Sequence, residues 1–206
     1  MQRLHHGIKP INVLPLGFIL IILTGALLLM LPIASKNGAS LPFINALFTA
    51  TSASCVTGLV VVDTGTYFTV FGQIVILILI QLGGLGIMTI SMILFSMTGR
   101  KISLHDRLSM AEGLGENRLG GIVRLARGAL IVTAAFELVG AILFSFQFIP
   151  DYGIARGIWY SIFHSVSAFC NAGFDLLGGY RSMTIYRTNP YVLFVLMGLI
   201  VSGGLG

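Results

Sequence analysis

The sequence predicts an all-α integral membrane protein built from tandem, channel-like helix–pore loop–helix repeats, and three observations carry that prediction. The first is composition: 56% of residues are hydrophobic and 9% charged, against about 25% charged in a soluble domain. Such a chain cannot clothe a water-facing surface. The second is a segment that occurs twice: Phe48-Thr49-Ala50-Thr51-Ser52-Ala53-Ser54-Cys55-Val56-Thr57-Gly58-Leu59 aligns with Phe163-His164-Ser165-Val166-Ser167-Ala168-Phe169-Cys170-Asn171-Ala172-Gly173-Phe174. Phe, Ser, Ala, Cys and Gly fall at equivalent places. The third is the setting, because each copy lies between two apolar runs of membrane length. A short segment ending in a Cys-x-x-Gly turn between two spanning helices is the layout of a re-entrant pore loop, where exposed backbone is tolerated because it lines an ion path.

The first apolar run, Ile11 to Ile33, is interrupted only by Asn12, Thr24 and two prolines, and Pro32 with Ser35-Lys36-Asn37-Gly38 closes it. Its length of about 20 residues suits a retained spanning helix better than a cleavable signal. Leu41 to Ser54 is too short to span and reads as a half-helix, with Ser40 as N-cap and Pro42 in the first turn. Cys55 to Leu59 turns the chain, Val60 to Gly65 climbs out, and Val70 to Met97 is the second long run. Gly99 to Val123 is charged and reads as a solvated loop. Arg124 to Phe148 is the third run, ended by Pro150-Asp151-Tyr152-Gly153; Ala155 to Phe169 is the second half-helix and Cys170 to Phe174 the second turn. Tyr191 to Gly206 is the fourth run.

Leu82-Gly83-Gly84-Leu85-Gly86 in the second run corresponds to Ser202-Gly203-Gly204-Leu205-Gly206 in the fourth. These small residues are expected to let helices pack closely beneath the turns. The expected organisation is a first unit over residues 1–99, a basic loop over 100–123 and a second unit over 124–206, cut short in its last helix.

The formal net charge is +5. A basic excess often marks a nucleic-acid partner, but here the basic residues lie mostly in loops between apolar runs, so orientation in a lipid bilayer explains them and no nucleic acid is expected. Arg3, Lys9, Arg100, Lys101, Arg107, Arg118, Arg124 and Arg127 fall on one side, and only Lys36, Arg156, Arg181 and Arg187 on the other. The positive-inside bias then puts the N-terminus and the 100–123 loop in the cytoplasm. Both turns enter from outside, with Asp63, Asp151 and Asp175 lending the mouth negative charge.

An ion leaving water needs its hydration shell replaced, and converging backbone carbonyls do so without trapping it. The stretches Ser54 to Gly58 and Phe169 to Gly173 hold no acid or base, as carbonyl coordination requires. Gly58 and Gly173 mark where left-handed dihedrals are expected, which glycine adopts without steric cost. The half-helices aim their negative dipole ends at the same centre. Cys55 and Cys170 are two in number and a disulfide is conceivable, but their matched positions read as small residues packed behind narrow turns. Glu137 lies near the middle of the third run, where a charge is expensive; it is either a functional acid or one that is protonated or paired with a polar neighbour. His164 has no metal-ligand companion and reads as a polar contact of the second half-helix. Tyr152, Trp159 and Tyr160 read as interfacial anchors.

The duplicated unit, SASCVTGL, SAFCNAGFD and QLGGLGIMT together resemble the Trk/Ktr/HKT superfamily of potassium transporters, and within it the membrane subunit of the bacterial Ktr system. The resemblance covers essentially the whole chain. It implies four such units around one pore, of which this sequence holds the first and most of the second. It further implies a selectivity filter at Cys55, Val56, Thr57 and Gly58 and at Cys170, Asn171, Ala172 and Gly173, carrying K+ with a possible role for Na+. No cofactor and no enzymatic step are implied. Expected partners are a second copy of the full-length subunit and a cytosolic nucleotide-binding ring of the KtrA/KtrC type. The expected location is the plasma membrane.

Two other readings fit parts of the pattern. A secondary cation symporter with inverted repeats and broken helices at a midplane site needs an odd number of spans per unit, whereas two are read here. A membrane scaffold without transport needs no ion path at all.

Overall fold

The computed structural model describes residues 10–86 and 122–205. The charged loop from 100 to 121, the end of the second run toward Met97, and Arg3, Lys9, Arg100, Lys101, Arg107 and Arg118 lie outside the described residues. Among the described residues all regular structure is helical, and one isolated bridge joins Ser35 to Phe68. The all-α expectation holds.

Helix α1, Pro10–Met30, is followed by a 3-10 turn at Pro32–Ala34 and by the half-helix α2, Phe43–Ser54. After the first turn a single helical turn, α3, spans Thr64–Tyr67, and α4 runs from Val70–Gly84. The other half comprises the long α5, Ile122–Tyr152, the half-helix α6, Ile154–Phe169, and α7, Pro190–Gly204. The Arg127–Tyr152 stretch of α5, 26 residues, is the one part of the described chain long and apolar enough to cross a membrane as it stands; Pro15–Met30, α4 and α7 are shorter apolar helices.

Each half packs as a triangle of two long helices around a half-helix: α1, α2 and α4 in one, α5, α6 and α7 in the other, with α4 against α6 between them. Small residues make this possible. Ala46, Ala50 and Ala53 give α2 a fully buried face on which α1 and α4 close. Gly25 of α1 touches Leu79 of α4, and a Cβ on it would come 2.7 Å from a Leu79 methyl; Gly140 of α5 meets Leu199 of α7 at the same 2.7 Å. These pairs occupy corresponding positions in the two halves. Hydroxyls inside the helices donate to the carbonyl one turn back, Thr24 to Leu20, Thr49 to Asn45, Thr51 to Leu47, Ser161 to Gly157 and Ser202 to Gly198. These hydroxyls thus have their bonds met within their own helix, whereas the buried hydroxyls of Ser35 and Ser54 have no hydrogen-bond partner among the described residues.

One cap differs from expectation. Ser40 does not cap α2: its hydroxyl donates to the Met30 carbonyl at 2.7 Å, and Pro42 takes the N-cap place without a side-chain bond. α5 ends within the expected Pro150-Asp151-Tyr152-Gly153 stretch: it continues through Pro150 to Tyr152, and the break falls at Gly153, whose φ of 81° starts α6 in a conformation helices cannot continue through. The caps of α4 and α7 correspond instead. Thr69 accepts from the Gly72 N–H and Asn189 from the Val192 N–H.

Candidate functional site

The two turns share one backbone geometry. The N–H groups of Cys55, Val56 and Thr57 donate to the carbonyls of Thr51, Ala53 and Ser52 at 2.8, 3.3 and 3.0 Å. At the corresponding positions Cys170, Asn171 and Ala172 donate to Val166, Ala168 and Ser167 at 2.9, 3.1 and 2.8 Å. Val56 has φ 49° and Asn171 φ 56°; Gly58 has φ 72° and Gly173 φ 74°. The glycines adopt the left-handed conformation expected of them. Val56 and Asn171 adopt it too, which sequence reasoning missed. For a β-branched valine it is a costly conformation, held by the three N–H bonds that tie the turn back to its half-helix.

Those bonds consume the donors and leave the acceptors. Among the described residues, no backbone or side-chain donor reaches the carbonyl oxygens of Cys55, Val56 and Thr57, or of Cys170, Asn171 and Ala172. Cys55, Thr57 and Asn171 are exposed, so these carbonyls are open to water or to an ion. The turns also meet each other. A Cβ on Gly58 would lie 2.7 Å from the Ala172 oxygen and 3.2 Å from the Gly173 Cα, and one on Gly173 would lie 3.4 Å from the Gly58 Cα.

Gly83, Gly84 and Gly203 pack beneath the turns. A Cβ on Gly83 would overlap the Ser54 carbonyl and one on Gly203 the Phe169 carbonyl, the residues that precede Cys55 and Cys170. Gly84 of the first half lies under Cys170 of the second, where a Cβ would come 2.6 Å from its sulfur. Both cysteines are free thiols; Cys170 is half-buried as expected, whereas Cys55 is exposed. Behind Cys170, Gln81 Oε1 and Glu137 Oε1 each lie 3.9 Å from its Sγ, and the Ser165 hydroxyl donates to the Glu137 carbonyl at 2.7 Å. Glu137 therefore has polar neighbours from both halves.

The chain leaving the second turn is held from several sides. Ser167 donates to the Phe174 carbonyl at 2.6 Å, and the buried His164 accepts from the Leu176 N–H at 3.2 Å. A cavity of about 240 Å3 beside this turn is lined by His164, Ser167, Asn171, Gly173, Phe174 and Asp175. A second, of about 450 Å3, is lined by Gly84, Thr133, Phe169, Cys170, Ser202 and Gly203.

Asp63 is not an open mouth charge. It is buried, accepting from the N–H groups of Thr66 at 2.8 Å and of Tyr180, from the other half, at 3.0 Å. Burial alone would raise its pKa, but the Tyr180, Thr66 and Gly179 bonds outweigh that and hold it below the ordinary carboxylate value. Asp175 goes the other way: burial raises it, opposed by the Leu177 N–H and reinforced by the charge on Asp63. Asp151 accepts from Gln147 at 2.9 Å and from the Tyr186 hydroxyl at 2.7 Å. Trp159, half-buried, donates to Gln73 Oε1 at 2.7 Å and so ties α6 to α4. Among the described residues there is no cluster of metal-ligating side chains.

Two turns on half-helices thus face each other, with glycine-bearing helices packed below them. The model of the TrkH cation transport protein family matches residues 9–206, and the chain belongs to that family. It is 43% identical over 205 residues to the potassium/sodium uptake protein NtpJ of Enterococcus hirae, covering 100% of this chain and 45% of that protein. It is 45% identical over 197 residues to the Ktr system potassium uptake protein B of Bacillus subtilis, covering 96% of this chain and 43% of that protein. The Ktr system potassium uptake protein D of the same organism is 34% identical over 205 residues, with 99% and 45% covered. The chain thus spans less than half the length of the curated relatives it matches. These relatives are ion-transport proteins, not enzymes.

Proposed function

We propose that this chain forms part of a potassium-uptake pore, in which the turns Cys55–Gly58 and Cys170–Gly173 supply two strands of a backbone-carbonyl selectivity filter. The observation that carries the reading is the set of carbonyls on two facing turns that no described donor claims, while the N–H groups of residues 55–57 and 170–172 are bonded back into the half-helices. A dehydrated cation is the partner such an array suits: carbonyl dipoles replace water without a fixed charge to hold the ion. The half-helices α2 and α6 end at these turns and add the negative ends of their dipoles. Each half is a helix–pore loop–helix unit, and a closed ring needs about four strands; the length of the relatives leaves room for two more.

Potassium as cargo, with sodium as a second or coupling ion, follows the relatives' names. The membrane subunit works in this reading as a homodimer on a cytosolic nucleotide-binding ring, in the plasma membrane with its N-terminus cytoplasmic. Glu137, with Gln81, backs the second strand at Cys170. Asp63 stays ionised and contributes negative potential near the mouth, Asp175 less so.

The test is Gly58→Ser and Gly173→Ser, each in the full-length protein, followed by potassium and sodium uptake in cells lacking other potassium uptake. A side chain at either glycine strains a left-handed residue and, at Gly58, collides with the opposite turn. Reduced uptake with a lowered potassium preference is expected. Unchanged transport and preference would overturn the filter assignment.

A further inference from the structure

We infer that His164, with Ser167, is a positioning residue for cation selectivity: the pair fixes the strand leaving the second turn, and with it the carbonyls of that turn. The inference rests on the filter reading above.

The two halves brace their turns differently. In the first, Ser52 and Thr57 join hydroxyl to hydroxyl at 2.9 Å. In the second, the place of Thr57 is taken by Ala172, which has no hydroxyl, so the serine equivalent to Ser52, Ser167, has no such partner. It reaches past the turn instead and donates to the Phe174 carbonyl at 2.6 Å. Two residues on, the Leu176 N–H donates to His164 Nε2 at 3.2 Å. The first half has Thr49 where His164 stands, and Thr49 only donates back to Asn45 at 2.9 Å. The imidazole is an addition peculiar to the second turn.

Its hydrogen bonds fix its tautomer. Nδ1 lies 2.7 Å from the Tyr160 carbonyl, which can only accept, so Nδ1 carries the proton. Nε2 faces an N–H, which can only donate, so Nε2 is the lone pair. The ring is 1% exposed and lies edge-on to Phe148, Tyr160 and Phe163, with centroids at 5.3, 5.9 and 6.0 Å. It cannot swing away. On the far side of the strand, the Leu176 backbone lies against Gly65 of the first half, where any Cβ would overlap the Leu176 carbonyl. Leu176 is thus clamped between an imidazole acceptor and a glycine, three residues from Gly173. A strand fixed at Phe174 and Leu176 leaves Gly173 little freedom to rotate its carbonyl.

The experiment uses the full-length protein with His164→Leu, His164→Asn, His164→Gln, Ser167→Ala and the control Gly173→Ser, reading protein level in the membrane and potassium and sodium uptake separately. Leu removes the acceptor, and Asn keeps a donor near the Nδ1 place but no acceptor near Nε2. Gln places an amide oxygen near Nε2. Loss of one hydrogen bond held in this way corresponds to about three- to tenfold in preference. His164→Leu and His164→Asn are expected to lower the potassium-over-sodium ratio by that factor, with His164→Gln restoring most of it and Ser167→Ala lowering it less. If Gly173→Ser shifts the ratio while His164→Leu, at normal membrane level, does not, the inference fails and the filter reading stands. If His164→Leu fails to accumulate, Ser167→Ala decides: an unchanged ratio overturns the inference. If Gly173→Ser itself leaves uptake and ratio unchanged, the filter reading has failed and the inference with it.

Discussion

At the scale of single residues, the turns are decided by who satisfies which backbone group. Gly58 and Gly173 were legible from the sequence, because a repeated Cys-x-x-Gly between helices leaves glycine as the residue that turns left-handed without penalty. Val56 and Asn171 were not. Local preference argues against a left-handed valine, and only the N–H bonds back into the half-helix, a product of the fold, impose it. Asp63 was legible as an acid in the right loop, but its role as acceptor for Tyr180, far along the chain, was not. That role makes a pH prediction. Because the folded state holds Asp63 below its ordinary pKa, its stabilising contribution is present above the unfolded value and is lost as pH falls through the folded one. Asp175, held above its ordinary value, acts with the opposite sign, and protonating it on acidification removes a cost. In thermal melts of the full-length protein, the gap in Tm between wild type and Asp63→Asn should therefore be widest near neutral pH and narrow below about pH 4. A gap independent of pH would contradict this account of Asp63.

At the scale of elements, the half-helices and long helices were readable from apolar run length, and their caps less so. Ser40, two residues before Pro42, is a reasonable N-cap by preference, yet its hydroxyl is drawn to the carbonyl of Met30 at the end of α1. Pro150-Asp151-Tyr152-Gly153 reads as a stop, and its last residue makes the break: the helix carries Pro150 without an N–H to bond one turn back and ends at Tyr152, before Gly153. The glycines beneath the turns behave as tight packing predicts. Gly83→Ala and Gly203→Ala press a methyl group into the carbonyls of Ser54 and Phe169, and each is expected to destabilise the full-length protein by about 1–3 kcal/mol, as overpacking does. Gly198 has nothing within 4 Å of a built Cβ, so Gly198→Ala serves as the neutral comparison in detergent melts. Equal Tm values for all three would remove the packing role of these segments.

At the scale of the whole molecule, the sequence made the pairing of two similar halves visible, since Cys55 to Gly58 and Cys170 to Gly173 align by eye. How the halves meet was not visible. The contacts of Gln73 with Trp159 and Gly84 with Cys170 depend on which faces of α4 and α6 come together, and that of Gly65 with Leu176 joins α3 to the strand after the second turn; no periodicity in these segments encodes its partner. In the proposed reading each unit has two full spans and both units are oriented alike, so cysteines placed at Lys36 and Lys101 of the full-length protein should label from opposite sides of the membrane; labelling from one side would favour an inverted-repeat transporter. The central claim is that the facing carbonyls of the two turns bind the permeating ion. The most direct measurement is a structure of the full-length protein soaked with thallium, which stands in for potassium and scatters anomalously. Anomalous density is expected between the two turns, within coordination distance of the carbonyls of residues 55–58 and 170–173; ions found only elsewhere in a well-ordered structure would overturn the filter assignment.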